Sequence, residues 1–360
     1  LTAMAGLAVV LLGEEHHDMD HHRWQLQTLS TLHALRPRMV IGFEMFPRRA
    51  QPVLDRWVAG ELTEAEFLQQ SEWGKVWSMP AELYLPLFHF ARLNRIPMLA
   101  LNIDAELTRR IADKGWDGVP EGEREGVGRP AAALPAYEDF LFEIHSQHAQ
   151  MRMHGKDKAR PARGDAAFRN FVESQLAWDR AMAEALLTGR ARHAAADGSL
   201  PLVVGIMGNG HVRHGHGVAH QLVTALMADG YPFARLLDEL LAPIQSESGR
   251  RWLVGDYTIA EEHASTAAAE TLVATLAGAF DQPADGTHVL VACAEDEAHT
   301  LPARMAAALL LAEGHRVTFL GSSVPAADLV EFTRDLEPDA AVVSCTLTTH
   351  LLGARATVRA

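Results

Sequence analysis

The chain has only two cysteines, Cys293 and Cys345. That excludes a disulfide framework, and because each closes an apolar, strand-like run, both read as small buried residues of a reduced protein. No stretch approaches the roughly 20 consecutive apolar residues that a membrane-crossing helix requires. The apolar start, Leu7 to Leu12, lacks the basic flank and cleavage pattern of a signal peptide. This favours a cytoplasmic location for the chain as given, with a leader ahead of Leu1 left open. Positive charge is also scarce: 32 Lys and Arg face 46 Asp and Glu, for a net charge of -14. A general nucleic-acid surface is therefore excluded, because phosphate binding needs clustered cations that release counterions. Neither Gly-x-Ser-x-Gly nor His-Glu-x-x-His occurs, so a nucleophile elbow and a zinc-protease helix are absent. What is present is ample core material. With 360 residues, 48% of them hydrophobic, the chain can build two or three domains, each with its own core.

Four apolar runs in the first part, Leu7–Leu12, Met39–Phe43, Pro97–Leu101 and Leu202–Met207, are separated by helical pattern. That alternation predicts a parallel sheet with crossover helices. All four polar ends then lie on one edge, so Glu14, His16, Glu44, Asn102 and His211 should converge on a single cleft. The loop Glu14–His22 holds four histidines and four carboxylates in nine residues. A helix should follow from Asp20 to Leu35, with Asp20 as N-cap and Trp24, Leu26, Leu29 and Leu32 on its apolar face. Glycines in Gly42-Phe43-Glu44 and Gly208-Asn209-Gly210-His211 permit tight turns that bring a carboxylate and an imidazole to one rim. The competing role for such a cluster is a polar network that caps helix ends, and His17, His21 and His22 read as solvated or capping. Asp179, in the amphipathic helix Phe168–Leu187, reads equally as reaching the cleft or as solvated. Trp73 and Trp77 read as an apolar cover over the sheet or a wall of the cleft, with core packing favoured, and Gly115–Pro135 and His154–Asp165 as mobile loops.

The blocks LLGEEHHDMDHHRWQ, IGFEMFPRRAQPVLDRWVAGELTEAEF, ALNIDAEL, FVESQLAWDRAMA and GIMGNGHVRHGHGV occur in order between Leu7 and Gln221. Together they resemble the ChaN family of haem-binding, iron-regulated proteins, part of a wider group with Tiki-type metalloproteases and erythromycin esterases. The resemblance implies an α/β fold and a haem or metal role for Glu14, His16, Glu44 and His211. It also implies a tyrosine as a haem axial ligand, with neither Tyr84 nor Tyr137 assigned to that role. On the hydrolase side, Glu14 or Glu44 would be the general base, and His16 or His211 a metal ligand or proton carrier.

Beyond the break at Gly230-Tyr231-Pro232, helices are expected over Phe233–Glu247 and over Thr258–Phe280, the latter capped by Thr258. A buried strand, His288–Cys293, runs into the loop Glu297-Ala298-His299, and helices and strands alternate from there to Ser344. His299 thus stands beyond the carboxyl end of a strand, where open α/β sheets bind ligands. Trp252, the pair Glu262-His263 and the run Glu297-Ala298-His299-Thr300-Leu301-Pro302 together resemble the cobalamin-binding unit of CarH-like regulators and corrinoid proteins. That family has a glycine where Pro302 stands. The resemblance implies cobalamin with Trp252 over its upper face, Glu262 and His263 beside the upper ligand, and His299 as the lower axial base. Glu297 and Ser344 would line the same site.

The expected architecture is therefore α/β in three parts: a parallel-sheet ChaN-like domain over 1–220, a helical bundle over 221–283, and a partial Rossmann-like cobalamin-binding domain over 284–360. The expected function is tetrapyrrole binding without catalysis, with haem or a metal first and cobalamin second, in sensing, transfer or iron uptake. Its partners are small tetrapyrroles and no nucleic acid, with a homodimer left open. The alternative is a metal-dependent hydrolase of the Tiki or erythromycin-esterase kind, regulated by the cobalamin module.

Overall fold

In the computed structural model, which describes residues 1–152 and 161–359, the chain divides into two units, Leu1–Asp229 and Gly230–Ala360. The first is built on β1 (Val9–Glu14), β2 (Met39–Pro47), β3 (Met98–Asn102) and β4 (Leu202–Gly208). All pairings are parallel, in the order β1-β4-β2-β3. Strands β2, β3 and β4 are buried at every position, which is why they read as unbroken apolar runs: helices cover both faces.

Alternate side chains feed two cores. On one face Phe43, Phe46, Trp57, Phe67, Tyr84 and Phe88 pack together with Leu29 and Leu32 of the helix Met19–Leu35. On the other, Val40, Leu99, Leu101, Val203 and Met207 meet Met182 and Leu186 of the long helix Ala166–Arg192. The registers Glu14↔Gly208 and Phe43↔Ile206 bring the ends of β1, β4 and β2 side by side.

Three local expectations differ. The cap of the first helix stands two residues earlier than expected: Asp18 is the N-cap, its side chain accepting from Asp20 N at 2.9 Å. Trp24 is half-exposed, because the helix turns Leu29 and Leu32 inward instead. The stretch expected as a mobile loop over Gly115–Pro135 is pinned: Trp116, Val119, Val127 and Leu134 are buried. Glu173 there accepts from Trp116 N at 2.6 Å, and Glu184 from Gly128 N at 3.1 Å. Most of the second expected loop, residues 153–160, lies outside the described residues.

In the second unit, short helical turns from Phe233 lead into the helix Ala242–Leu253, so Trp252 falls in that helix's last turn. The helix Ile259–Ala277 starts on a capping box: Thr258 accepts from Glu261 N, and Glu261 reaches back to Thr258 N at 2.8 Å. Strands β5 (His288–Cys293), β6 (Arg316–Phe319) and β7 (Ala340–Ser344) are parallel, in the order β6-β5-β7. The central strand β5 is buried throughout. Pro302 lies in the first turn of the helix Thr300–Ala312, where a missing N–H leaves no bond unmade. Among the described residues, no helix is long and apolar enough to cross a membrane.

The helix Ala166–Arg192 approaches β3 closely at Gly189, where a Cβ would lie 2.2 Å from Leu99 Cδ1. Gly189→Ala should therefore force Leu99 to repack and cost about 1–3 kcal/mol, read as a lowered urea midpoint with an unchanged far-ultraviolet spectrum.

Candidate cofactor sites

The first site forms where β1, β2 and β4 end. Glu14 closes β1 fully buried, and burial alone would push its carboxyl up. Hydrogen bonds from His16 Nδ1 (2.9 Å), Tyr84 Oη (2.7 Å) and Gln25 Nε2 (3.0 Å), with His22 Nδ1 at 3.4 Å, outweigh burial and hold it below the usual carboxylate range. Both Glu14 oxygens are taken up in this way. His22, expected to be solvated or capping, is buried and bonds the His16 carbonyl at 3.1 Å.

A matching arrangement comes from the long helix. His211 Nδ1 donates to Asp179 Oδ1 at 2.7 Å, and Tyr137 Oη donates to Asp179 Oδ2 at 2.8 Å. The second imidazole nitrogen of His211 lies 3.6 Å from Glu44 Oε1. Burial lowers the His211 pKa, but Asp179 and Glu44 overcome it and push it up to about 9.

Glu44 is the shared element. Its Oε2 accepts from Gly208 N, and Asn102 Nδ2 holds its backbone carbonyl at 2.9 Å. His16 lies on the same side: a Cβ on Gly208 would stand 2.9 Å from His16 Cε1 and 3.5 Å from Glu44 Oε2. Burial pulls the His16 pKa down, and Glu14 and Glu44 together raise it above the ordinary value. The expected convergence is thus present. His16, Glu44, Asn102 and His211 share one rim, and Glu14 sits beneath His16. Among the described residues, no three His, Cys, Asp or Glu side chains stand ready as a metal cage.

A cavity of about 810 Å³ opens beside this cluster, past Met45 and Asn102, with Trp77 and Trp178 in its wall. Trp77 packs edge-on against His16 at 4.8 Å, and the ring of Trp178 lies 5.0 Å from that of His211. The rim cations Arg49 and Arg110 are each paired with carboxylates. Burial and the adjacent Glu14 or Asp179 raise the phenols of Tyr84 and Tyr137 far above their ordinary value, so both donate to those carboxylates.

The second site lies past the end of β5. Glu297 is fully buried. Burial raises its pKa, but four donors bring it down to about 2: His299 N (3.0 Å), His299 Nδ1 (2.5 Å), Thr346 N (2.6 Å) and Leu347 N (3.1 Å). The His299 side chain is 54% exposed, so the bond to Glu297 leaves Nε2 as its free nitrogen. Ser344 ends β7, its carbonyl accepting from Ala294 N at 2.9 Å. On the helical part Trp252 is half-exposed. Glu262 accepts from Thr266 Oγ1 at 2.9 Å, and His263 Nε2 lies 3.8 Å from Glu262 Oε2 on an open surface.

The family description "Haem-binding uptake, Tiki superfamily, ChaN" matches residues 1–222. The chain belongs to that family. Two B12-binding-domain descriptions match further along, one over residues 216–277 and one over 287–360. Haem and cobalamin are the cofactors of the two kinds of domain. Over 108 residues the chain is 35% identical to the HTH-type transcriptional repressor CarH of Myxococcus xanthus, which covers 30% of this chain and 36% of that protein. The chain therefore spans about a third of that relative. Among solved structures, the chain resembles one described as cofacial heme binding to ChaN of Campylobacter jejuni (TM-score 0.45, 17% identity, 62% of this chain and 78% of that one). It also resembles the monomethylamine corrinoid protein of Methanosarcina barkeri (TM-score 0.35, 19% identity, 39% and 68%).

Sequence reasoning left Asp179 undecided and gave no role to Tyr84, Tyr137 or Gln25. Each is buried on the inward side of a helix or at its start, and a polar residue falling among the apolar positions of that side is the one signal that could have marked them. Because the folded pKa of His211 is raised, its contribution to stability is complete below pH 6.5 and is lost as pH rises through about 9. In metal-free protein, Asp179→Asn should move the His211 midpoint down toward 6.5, read from the imidazole C–H resonance.

Proposed function

We propose that the protein handles two tetrapyrroles without catalysis of its own. Cobalamin is held on the second unit with His299 as lower axial ligand, and haem or a metal ion on the first unit with His16 and His211 as ligands. Sensing, transfer and iron uptake are the roles that such a pairing serves. The observation that carries the reading is His299 itself. Its Nδ1 is fixed by a buried carboxylate while the side chain stands open beyond a strand end. That fixes the tautomer and makes Nε2 a stronger donor toward a metal. Cobalt held there would supply the ligand chemistry, and the chain's own part is to orient the imidazole and keep Glu297 ionised. Half-exposed Trp252 and the small residues Ala264, Ser265, Ala267 and Ala268 leave room for a broad ring. Glu262, His263 and Ser344 complete the set of cofactor contacts in this reading.

In the first unit, Glu14 and Asp179 support His16 and His211 in the way Glu297 supports His299, so Glu14 acts beneath the ligands. The aromatic-walled cavity beside Met45 and Asn102 suits a large, partly apolar group. One observation favours a hydrolase as a second reading. Two imidazoles, each backed by a buried carboxylate and a tyrosine, face Glu44, an arrangement suited to moving protons from water to substrate.

Reconstitution decides between them. Incubation with hemin should produce a Soret band, and adenosylcobalamin in the dark should give corrin bands that change on His299→Ala. Chelator-sensitive ester or peptide hydrolysis with no Soret band would favour the second reading, and cobalamin bands indifferent to His299→Ala would overturn the first.

A further inference from the structure

Glu297 has an imidazole on each side. His299 occupies Oε1, and on the other side the Nδ1 of His350 stands 3.6 Å from Oε2. His350 ends the short turn Thr348–His350 that follows Thr346 and Leu347, whose backbone N–H groups already bond Oε2. Its Nδ1 is buried and has no hydrogen-bond partner. A carboxylate offers about four acceptor positions, and the two His299 donors with Thr346 N and Leu347 N fill them. The His350 imidazole is therefore a fifth polar group at a carboxylate with room for four, its Nδ1 held roughly half an ångström too far for a hydrogen bond.

We propose that His350 is a positioning residue of the cobalamin site that sets the strength of His299 as a ligand by competing for Glu297. This rests on the reading that His299 is the lower axial base. When Nδ1 carries the proton and the His350 ring closes the remaining gap, the proton shared toward Oε2 draws charge from Oε1 and loosens its hold on His299 Nδ1–H, and a looser hold makes Nε2 a weaker donor. Removing His350 leaves all of that charge to the four remaining donors, so His299 becomes the stronger ligand. The turn that carries His350 thus adjusts the grip on cobalt from the far side of the carboxylate, without touching the cofactor.

The probe is diaquocobinamide, which lacks a base of its own, so that its affinity for the full chain reports the bond from His299. His350→Leu should tighten binding on the order of tenfold, and His350→Gln, which keeps an N–H donor, should stay near the parent value. His299→Ala should weaken binding strongly. If His350→Leu binds as the parent does, or more weakly, while His299→Ala still loses affinity, the proposal is overturned and the cobalamin reading stands. If His299→Ala binds as the parent does, the cobalamin reading itself fails. Circular dichroism of each variant confirms that the fold is kept.

Discussion

A carboxylate removed from water must recover its hydrogen bonds from the protein or give up its charge. Glu14, Glu44, Asp179 and Glu297 are all buried, and each lies at or beside a candidate site. Three of them solve the problem in the same way, by taking the Nδ1 side of a histidine: His16 on Glu14, His211 on Asp179 and His299 on Glu297. The bond that satisfies the acid also fixes the tautomer of the base, and so decides which nitrogen is offered to a ligand. Breaking one such pair by removing a single partner leaves a buried charge uncompensated, a cost of roughly 3–5 kcal/mol in comparable cases. The sites are thus tied to the stability of the strand ends that carry them.

The same device leads to different outcomes in the two units. In the first, His16 and His211 are turned toward one acid, Glu44, whose oxygens are held by Gly208 N and approached by His211. His211 is nearly enclosed there and His16 is partly open, beside an aromatic-walled cavity. In the second, His299 is turned outward, with more than half of its side chain open. The two tyrosines left unassigned by the sequence, Tyr84 and Tyr137, donate to Glu14 and Asp179, and burial with those carboxylates raises both phenols.

Much of this was readable in order along the chain. Continuous apolar runs marked β2, β3, β4 and β5, because strands covered on both faces have no reason to alternate. The parallel arrangement followed from the helical spacing between them, and with it the common edge for His16, Glu44, Asn102 and His211. The Thr258 cap was legible because a capping box is local chemistry. Trp24 was misjudged because a helix stripe broad enough to include it does not say where the sheet stops. The stretch Gly115–Pro135 looked loose by composition, yet Trp116 and Val127 reach into the core and hold it.

By itself the sequence determined the alternation of strands and helices, the motif loops at the strand ends and the absence of a membrane-length helix. These depend on contacts within a few residues or on simple periodicity. Only the tertiary structure decided which carboxylate serves which histidine. Asp179 meets His211 from a helix more than thirty residues away, |i−j| = 32, and Tyr84 meets Glu14 at |i−j| = 70. His350 approaches Glu297 only because β7 pairs beside β5. Such partnerships are set by strand order and helix packing, where the direction of a side chain depends on every element beneath it, and no local pattern records that.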